Sequence, residues 1–139
     1  MRILGVDFGD RRTGLAVSDP AGFLANGIGT VTADGKRALA AKIARIASEQ
    51  GCEHIVLGSP VNLDGTVGPR AQRVQEFGQL LAEASGLPVE LFDERCTTTE
   101  AYSFLDRTGT HGKRRKGVVD TLAAQIILQD YLDSRAEKG

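Results

Sequence analysis

Residues 2–18 read Arg2-Ile3-Leu4-Gly5-Val6-Asp7-Phe8-Gly9-Asp10-Arg11-Arg12-Thr13-Gly14-Leu15-Ala16-Val17-Ser18. Two apolar runs, 2–8 and 13–18, flank the polar turn 9–12. Runs of this length and composition on either side of a turn predict an antiparallel hairpin of two strands. After a second turn at 19–22, a third strand is predicted from Phe23 to Thr32.

The rest of the chain alternates helical and strand patterns, which favours parallel strands joined by helical crossovers. Together with the hairpin, this order predicts an α/β fold with a mixed five-stranded sheet. The predicted elements are a helix from Lys36 to Gln50, a strand from His54 to Gly58, a helix that stops at Gly86, a strand from Pro88 to Phe92, a short helix from Thr97 to about Leu105 and a final helix from Val118 towards Ser134.

Length and composition favour one domain over residues 1–139. No apolar run approaches the ~20 residues that cross a membrane, and Asp7 interrupts the first apolar segment too early for a signal peptide. We therefore expect a cytoplasmic protein without a membrane partner. Cys52 and Cys96 form no Cys-x-x-Cys motif, so reduced thiols with packing roles are expected.

Three acidic residues stand where elements end or face a predicted cleft: Asp7 after the first strand, Glu94 after the last strand and Asp120 in the final helix. With the first strand central, the last strand can lie two positions away, so the three could meet on one side. Clustered carboxylates repel unless a cation or proton relieves them, which predicts a divalent metal site. Asp93 is the alternative to Glu94, because adjacent strand residues point to opposite faces. Each acid could also be only a solvated surface residue.

Basic residues are concentrated in two places, although the formal net charge is only −1. The stretch 107–116 contains five Lys and Arg residues plus His111 and no acid, and we expect a flexible basic loop at about 107–117. Such runs are usually solvated, but this one precedes the helix that carries Asp120 and could close over a nucleic-acid backbone. The helix dipole could assist phosphate binding at the start of the second helix. The predicted nucleic-acid contacts are Arg70, Arg73, Arg95, Lys113, Arg114, Arg115 and Lys116.

Four motifs in order carry a resemblance to a known family. They are Val6-Asp7-Phe8-Gly9 with Thr13-Gly14-Leu15-Ala16, then Gly58-Ser59-Pro60 with Asp64-Gly65-Thr66, then Asp93-Glu94-Arg95 with Thr97-Thr98-Thr99-Glu100-Ala101, and Val119-Asp120 with Ala123-Ala124. From Met1 to about Asp133 the chain resembles the YqgF (RuvX) family of the ribonuclease H-like superfamily, which implies that helices lie on both faces of the five-stranded sheet. That family is described as Holliday junction resolvases and, in bacteria, as nucleases that mature pre-16S ribosomal RNA.

The resemblance implies a mechanism that the residues could perform. Asp7, Glu94 and Asp120 would be the catalytic ligands of Mg²⁺ or Mn²⁺, hard cations that prefer oxygen donors. Two such ions can activate water and stabilise the leaving oxygen in phosphodiester cleavage.

The residues and the resemblance together predict a metal-dependent endonuclease of structured nucleic acid. The resemblance implies that it matures the 5' end of pre-16S rRNA and works with ribosomal particles, and we expect a monomer or weak dimer. The alternatives are resolution of branched DNA, a non-catalytic RNA-binding assembly factor, or a nucleotide-binding lobe like that of actin-like ATPases.

Overall fold

A computed structural model describes residues 1–9, 12–59, 68–93 and 112–138. Within these ranges the chain forms five strands and three helices. The strands are Arg2–Asp7 (β1), Thr13–Ser18 (β2), Ala25–Val31 (β3), Cys52–Ser59 (β4) and Val89–Asp93 (β5), and the helices are Lys36–Glu49 (α1), Pro69–Ser85 (α2) and Gly112–Lys138 (α3).

The strands form one mixed sheet in the order β3-β2-β1-β4-β5. β1 pairs antiparallel with β2, and β2 pairs antiparallel with β3. β4 pairs parallel with both β1 and β5. The predicted five-stranded sheet with β1 at its centre is therefore confirmed, and β5 lies two positions away as expected.

Alternate residues of β1 define the two faces of the sheet. Leu4 and Val6 belong to the core under α1 and α2, while Ile3 belongs to the core under α3. Because strand side chains alternate with a period of two, the odd positions of β1 face α3 and the even positions face α1 and α2. The predicted helices on both faces are confirmed.

Helix α3 lies very close to the sheet because small residues line the contact. A Cβ added at Gly5 would come within 2.8 Å of the Cβ of Leu128 and 3.2 Å of the carbonyl oxygen of Ala124. The amide of Gln129 also fixes α3 to the chain around β3, since its oxygen accepts from the backbone N–H of Ala25 at 2.9 Å and its nitrogen donates to the carbonyl of Phe23 at 2.9 Å. These contacts hold the middle of α3 against β1 and the start of β3.

Helix α3 begins at Gly112, six residues earlier than the predicted start at Val118. The expectation of a loop at about 107–117 is therefore wrong for 112–117. Lysine and arginine are good helix formers, and extending a helix costs little once its first turn exists. Residues 107–111, together with the short helix predicted from Thr97, lie outside the described residues. Among the described helices, none is long and apolar enough to cross a membrane.

The Cys52 thiol packs in the core beneath α1 and α2 as a free cysteine. Burial raises the pKa of this thiol to about 11, and the nearby Arg2 only partly opposes the shift. A thiol that stays protonated at neutral pH is a poor nucleophile, which agrees with the expected packing role. Cys96 lies outside the described residues.

An aromatic cluster joins α3 to β4 and β5. The rings of His54 and Tyr131 stack with centroids 5.9 Å apart, and the tyrosine hydroxyl lies 3.3 Å from Nε2 of His54. Phe92 meets Tyr131 edge-on at 5.9 Å. Burial lowers the pKa of His54, although the carboxylate of Glu90 opposes the shift.

This depressed pKa predicts a loss of stability in mild acid. The folded state disfavours the charged imidazole, so the stability contribution is complete above the ordinary pKa of 6.5 and is lost as pH falls through the lower folded pKa. We expect the melting temperature of the parent to fall between about pH 7 and pH 5 more steeply than that of His54→Gln. His111→Gln is the matched control for loss of an imidazole, and a parent-like slope in His54→Gln would contradict the prediction.

Candidate active site at the carboxyl edge of the sheet

The carboxylate of Asp7 lies at the carboxyl end of the central strand. Asp7 is the last residue of β1 and is half-buried. Because side chains point alternately to the two faces of a sheet, Asp7 lies on the same face as Ile3 and Gly5, which is the face that α3 covers. The apolar run of β1 ends at the edge of the sheet, and Asp7 is the residue at that end.

Asp120 reaches the same place from α3, and Gly14 makes the approach possible. In the sheet register, Gly14 of β2 lies directly opposite Asp7 of β1. A Cβ at Gly14 would overlap the carbonyl oxygen of Asp120, so the helix backbone rests on the strand at this glycine. The structure therefore brings Asp7 and Asp120 to the same end and the same face of the sheet.

Arg12 is a neighbour of Asp120 that sequence reasoning missed. Its Nε lies 3.4 Å from Oδ2 of Asp120, and the two side chains are 27% and 28% exposed. Burial raises the pKa of Asp120, and the Arg12 guanidinium opposes the shift without cancelling it. The carboxylate thus sits where its negative charge is partly desolvated and a cation is favourable. Only the position of Arg12 in the polar turn before Thr13 could have signalled this pairing.

The third predicted ligand, Glu94, and the neighbouring Arg95 lie outside the described residues. Asp93 is the final residue of β5, opposite Ser59 of β4. In the described ranges, no group of three or more His, Cys, Asp or Glu side chains is arranged to hold a metal ion. The carboxylate oxygens of Asp7 and Asp120 are nevertheless the hard donors that Mg²⁺ and Mn²⁺ prefer, so the donor chemistry of this pair suits such an ion.

The predicted basic residues fall into two groups around this edge. Lys113–Lys116 belong to α3 and precede Asp120 by four to seven residues, or about 6–10 Å along the helix axis. Arg70 is exposed in the first turn of α2. Arg73 lines a pocket of about 180 Å³ on the other face of the sheet, together with Phe8, Thr13 and Lys36.

Solved structures with the same architecture place the chain in the class of ribonuclease H-like folds. One is T. thermophilus RuvC in complex with a Holliday junction substrate, with a TM-score of 0.61, 16% identity and coverage of 100% of this chain and 98% of that one. Another is the fowlpox virus Holliday junction resolvase, with a TM-score of 0.56, 15% identity and coverage of 96% and 99%. At this level of identity the likeness concerns the fold alone.

Sequence comparison gives the family. The model of the RuvX family, described as Holliday junction resolvase, matches residues 1–134. A protein of Pelotomaculum thermopropionicum named "Putative pre-16S rRNA nuclease" is 43% identical over 136 residues, covering 97% of this chain and 88% of the relative. A protein of Myxococcus xanthus with the same name is 44% identical over 134 residues, covering 96% and 89%. The chain belongs to the RuvX family, and the resemblance drawn from its motifs is confirmed.

Proposed function

We propose that this protein is a metal-dependent endonuclease that cleaves structured nucleic acid and matures the 5' end of pre-16S rRNA. The observation that carries the proposal is the convergence of Asp7 and Asp120, 113 positions apart in sequence, over Gly14. Two carboxylates on one face of the sheet, one of them partly desolvated, favour a bound cation in addition to the Arg12 guanidinium. The arrangement is therefore better suited to metal chemistry than to packing.

In this proposal Asp7, Asp120 and Glu94 hold Mg²⁺ or Mn²⁺. Glu94 is proposed as the third ligand because the resemblance of the Asp93-Glu94-Arg95 motif to the family places a carboxylate ligand there. The bound ions would supply an activated water and charge stabilisation at the phosphate. The protein contributes by fixing the carboxylates on a strand and a helix, while Arg12 adds a positive charge beside them.

Ribosomal precursor RNA is the substrate favoured over branched DNA. Relatives that are 43% and 44% identical over nearly the whole chain are named for pre-16S rRNA, whereas the structures solved with Holliday junctions share only the fold. We propose that the protein acts on ribosomal particles as a monomer or weak dimer. The test presents purified protein and Mn²⁺ with precursor particles and, separately, with a four-way DNA junction. Cleavage at the mature 5' end supports the proposal, cleavage of only the junction favours the alternative, and no cleavage of either supports a non-catalytic assembly factor.

The basic start of α3 should contribute to binding rather than to folding. Replacing Lys113, Arg114, Arg115 and Lys116 with Ala should weaken affinity and reduce the logarithmic salt slope by about 0.7 for each single-strand phosphate that the variant no longer neutralises. Stability should not fall, because Ala favours helix and cations at a helix N-terminus oppose its dipole. Fluorescence anisotropy at several salt concentrations measures both effects. Arg45→Ala on α1 is the control, and a parent-like slope in the fourfold variant would show that the run is only a solvated helix end.

A further inference from the structure

A buried hydroxyl lines a pocket on the opposite face of the sheet from the carboxylates. Thr13, the first residue of β2, is fully buried, and its Oγ1 has no hydrogen-bond partner among the residues that the structure describes. A buried polar group without a partner is costly. Thr13 lines the pocket of about 180 Å³ together with Phe8, Lys36 and Arg73. A hydrogen-bonding group without a partner in the described residues therefore lies in the wall of the pocket.

The N-terminus of α1 forms another wall of this pocket, through Gly35 and Lys36. Gly35 precedes the helix with φ of 100°, and no side chain in the described part of the chain caps the first turn. The first intrahelical bond is donated by Leu39 to Gly35 at 3.0 Å, so the N–H groups of residues 36–38 have no acceptor within the helix. The first turn contains no acid and begins with two cations, which oppose the helix dipole. An anion at this position would relieve both features.

Two basic side chains reach the pocket from different helices. Lys36 belongs to the first turn of α1, and Arg73 belongs to the second turn of α2. The ammonium of Lys36 also lies 3.7 Å from the carboxylate of Glu76, but these side chains are 42% and 70% exposed. Exposed ion pairs of this kind contribute little, so the pair does not prevent Lys36 from binding an anion.

We propose that this pocket binds a phosphate group of the nucleic-acid strand. The Thr13 hydroxyl and the backbone N–H groups of α1 would donate to phosphate oxygens, and Lys36 and Arg73 would supply charge. Phe8 lines the pocket and stacks on Phe77 of α2. The preceding residue, Asp7, faces α3 on the other side of the sheet. A nucleic-acid strand that crosses the carboxyl end of β1 would then meet the carboxylates on one face of the sheet and this phosphate pocket on the other. The assignment to nucleic acid rests on the proposed function, while anion binding itself does not.

The first experiment titrates inorganic phosphate into the protein in the presence of chelator and follows the amide NMR signals of residues 36–38. A titration with chloride at equal ionic strength is the reference. Saturable shifts are expected in the parent. Thr13→Val and Arg73→Gln should each weaken phosphate affinity about tenfold, since each removes a hydrogen bond to a charged group. Thr13→Ser keeps the hydroxyl and should bind like the parent. Arg37→Gln removes a charge from the same turn of α1 but outside the pocket lining, and it should change affinity less than about twofold.

A melting experiment separates binding from folding. In chloride, Thr13→Val should melt at or above the parent temperature, because a methyl replaces an unpaired buried hydroxyl. At the same phosphate concentration, the parent and Thr13→Ser should gain more stability than Thr13→Val. Equal phosphate affinity in the parent and Thr13→Val, or no saturable shift in the parent, would show that phosphate does not bind in this pocket as proposed.

A competition experiment tests whether the phosphate group that the pocket binds belongs to nucleic acid. A single-stranded oligonucleotide, still in chelator, should displace inorganic phosphate from the amides of residues 36–38. If phosphate binds and the oligonucleotide does not compete, the nucleic-acid assignment is overturned and the pocket belongs to a free anion. If the parent binds phosphate but shows no metal-dependent cleavage, the nuclease proposal is refuted and the anion pocket is not.

Discussion

Cleavage by Asp120→Asn is expected to fall at least about 100-fold below that of the parent in saturating Mg²⁺ or Mn²⁺, because removing one group that stabilises charge in an active site commonly costs this much. Asp7→Asn and Glu94→Gln should show losses of similar size. The amides keep the shape of the carboxylates but lack the anionic oxygens that a hard cation prefers. Initial rates at matched metal and substrate concentrations measure the effect.

Two controls separate metal ligation from damage to the fold. Asp34→Asn removes an exposed acid just before α1 and should leave the rate unchanged, and all variants should retain the parent circular dichroism spectrum. Asp93→Asn should have a mild effect if Glu94 is the ligand. Full activity in Asp7→Asn, Glu94→Gln and Asp120→Asn would rule out the proposed metal site.

Melting temperatures give a readout of the same site that does not depend on substrate. Burial raises the pKa of Asp120, so the folded state disfavours its charge, and Asp120→Asn should melt at or above the parent temperature in chelator. With metal at ten times its dissociation constant, the parent should gain roughly 1.4 kcal/mol of stability. The variant should gain less. Equal metal-induced shifts in the two proteins would show that Asp120 is not a ligand.

The sheet could be predicted because its strands are encoded locally. The hairpin 2–18 has two apolar runs around a polar turn, and the later strands alternate with helices of clear 3.6-residue periodicity. Parallel pairing through helical crossovers then leaves few arrangements, and the one with β1 at the centre is observed. Asp7 could be placed at the carboxyl edge for the same reason, since it directly follows a strand.

The contacts made by α3 could not be predicted in the same way. The pairing of Arg12 with Asp120 and the contact of Gly14 with the α3 backbone join residues more than 100 positions apart. Nothing in the local pattern of either segment specifies them. The start of α3 at Gly112 was missed because glycine and a run of like charges resemble a loop, whereas the favourable helix propensity of Lys and Arg continues the helix. The roles of Glu94 and Arg95 stay predictions.

Gly14 is the residue on which the candidate site depends most directly, and Gly14→Ala should therefore have a large effect. A Cβ at this position would overlap the carbonyl oxygen of Asp120, which belongs to a helix backbone and cannot rotate away. Either α3 must move off β2 or the overlap must strain both elements. We expect a loss of about 3 kcal/mol in the free energy of unfolding, the upper end of the usual cost of overpacking. For a chain of this size that corresponds to a fall of roughly 10 °C in melting temperature.

Gly78→Ala is the matched control because it adds the same methyl group to the buried face of α2. There the nearest atom is Cδ2 of Leu57 at 3.3 Å, the end of a side chain that can adjust. Alanine also favours helix by roughly 0.5–1 kcal/mol relative to glycine, so this variant should be close to the parent in stability. Urea unfolding measures both variants, and cleavage is assayed at a temperature where both are folded. If α3 moves, Gly14→Ala should lose cleavage even when folded, because Asp120 is carried away from Asp7. Parent-like stability and cleavage in Gly14→Ala would mean that the helix does not rest on β2 at this glycine, and the convergence of the two carboxylates would lose its structural basis.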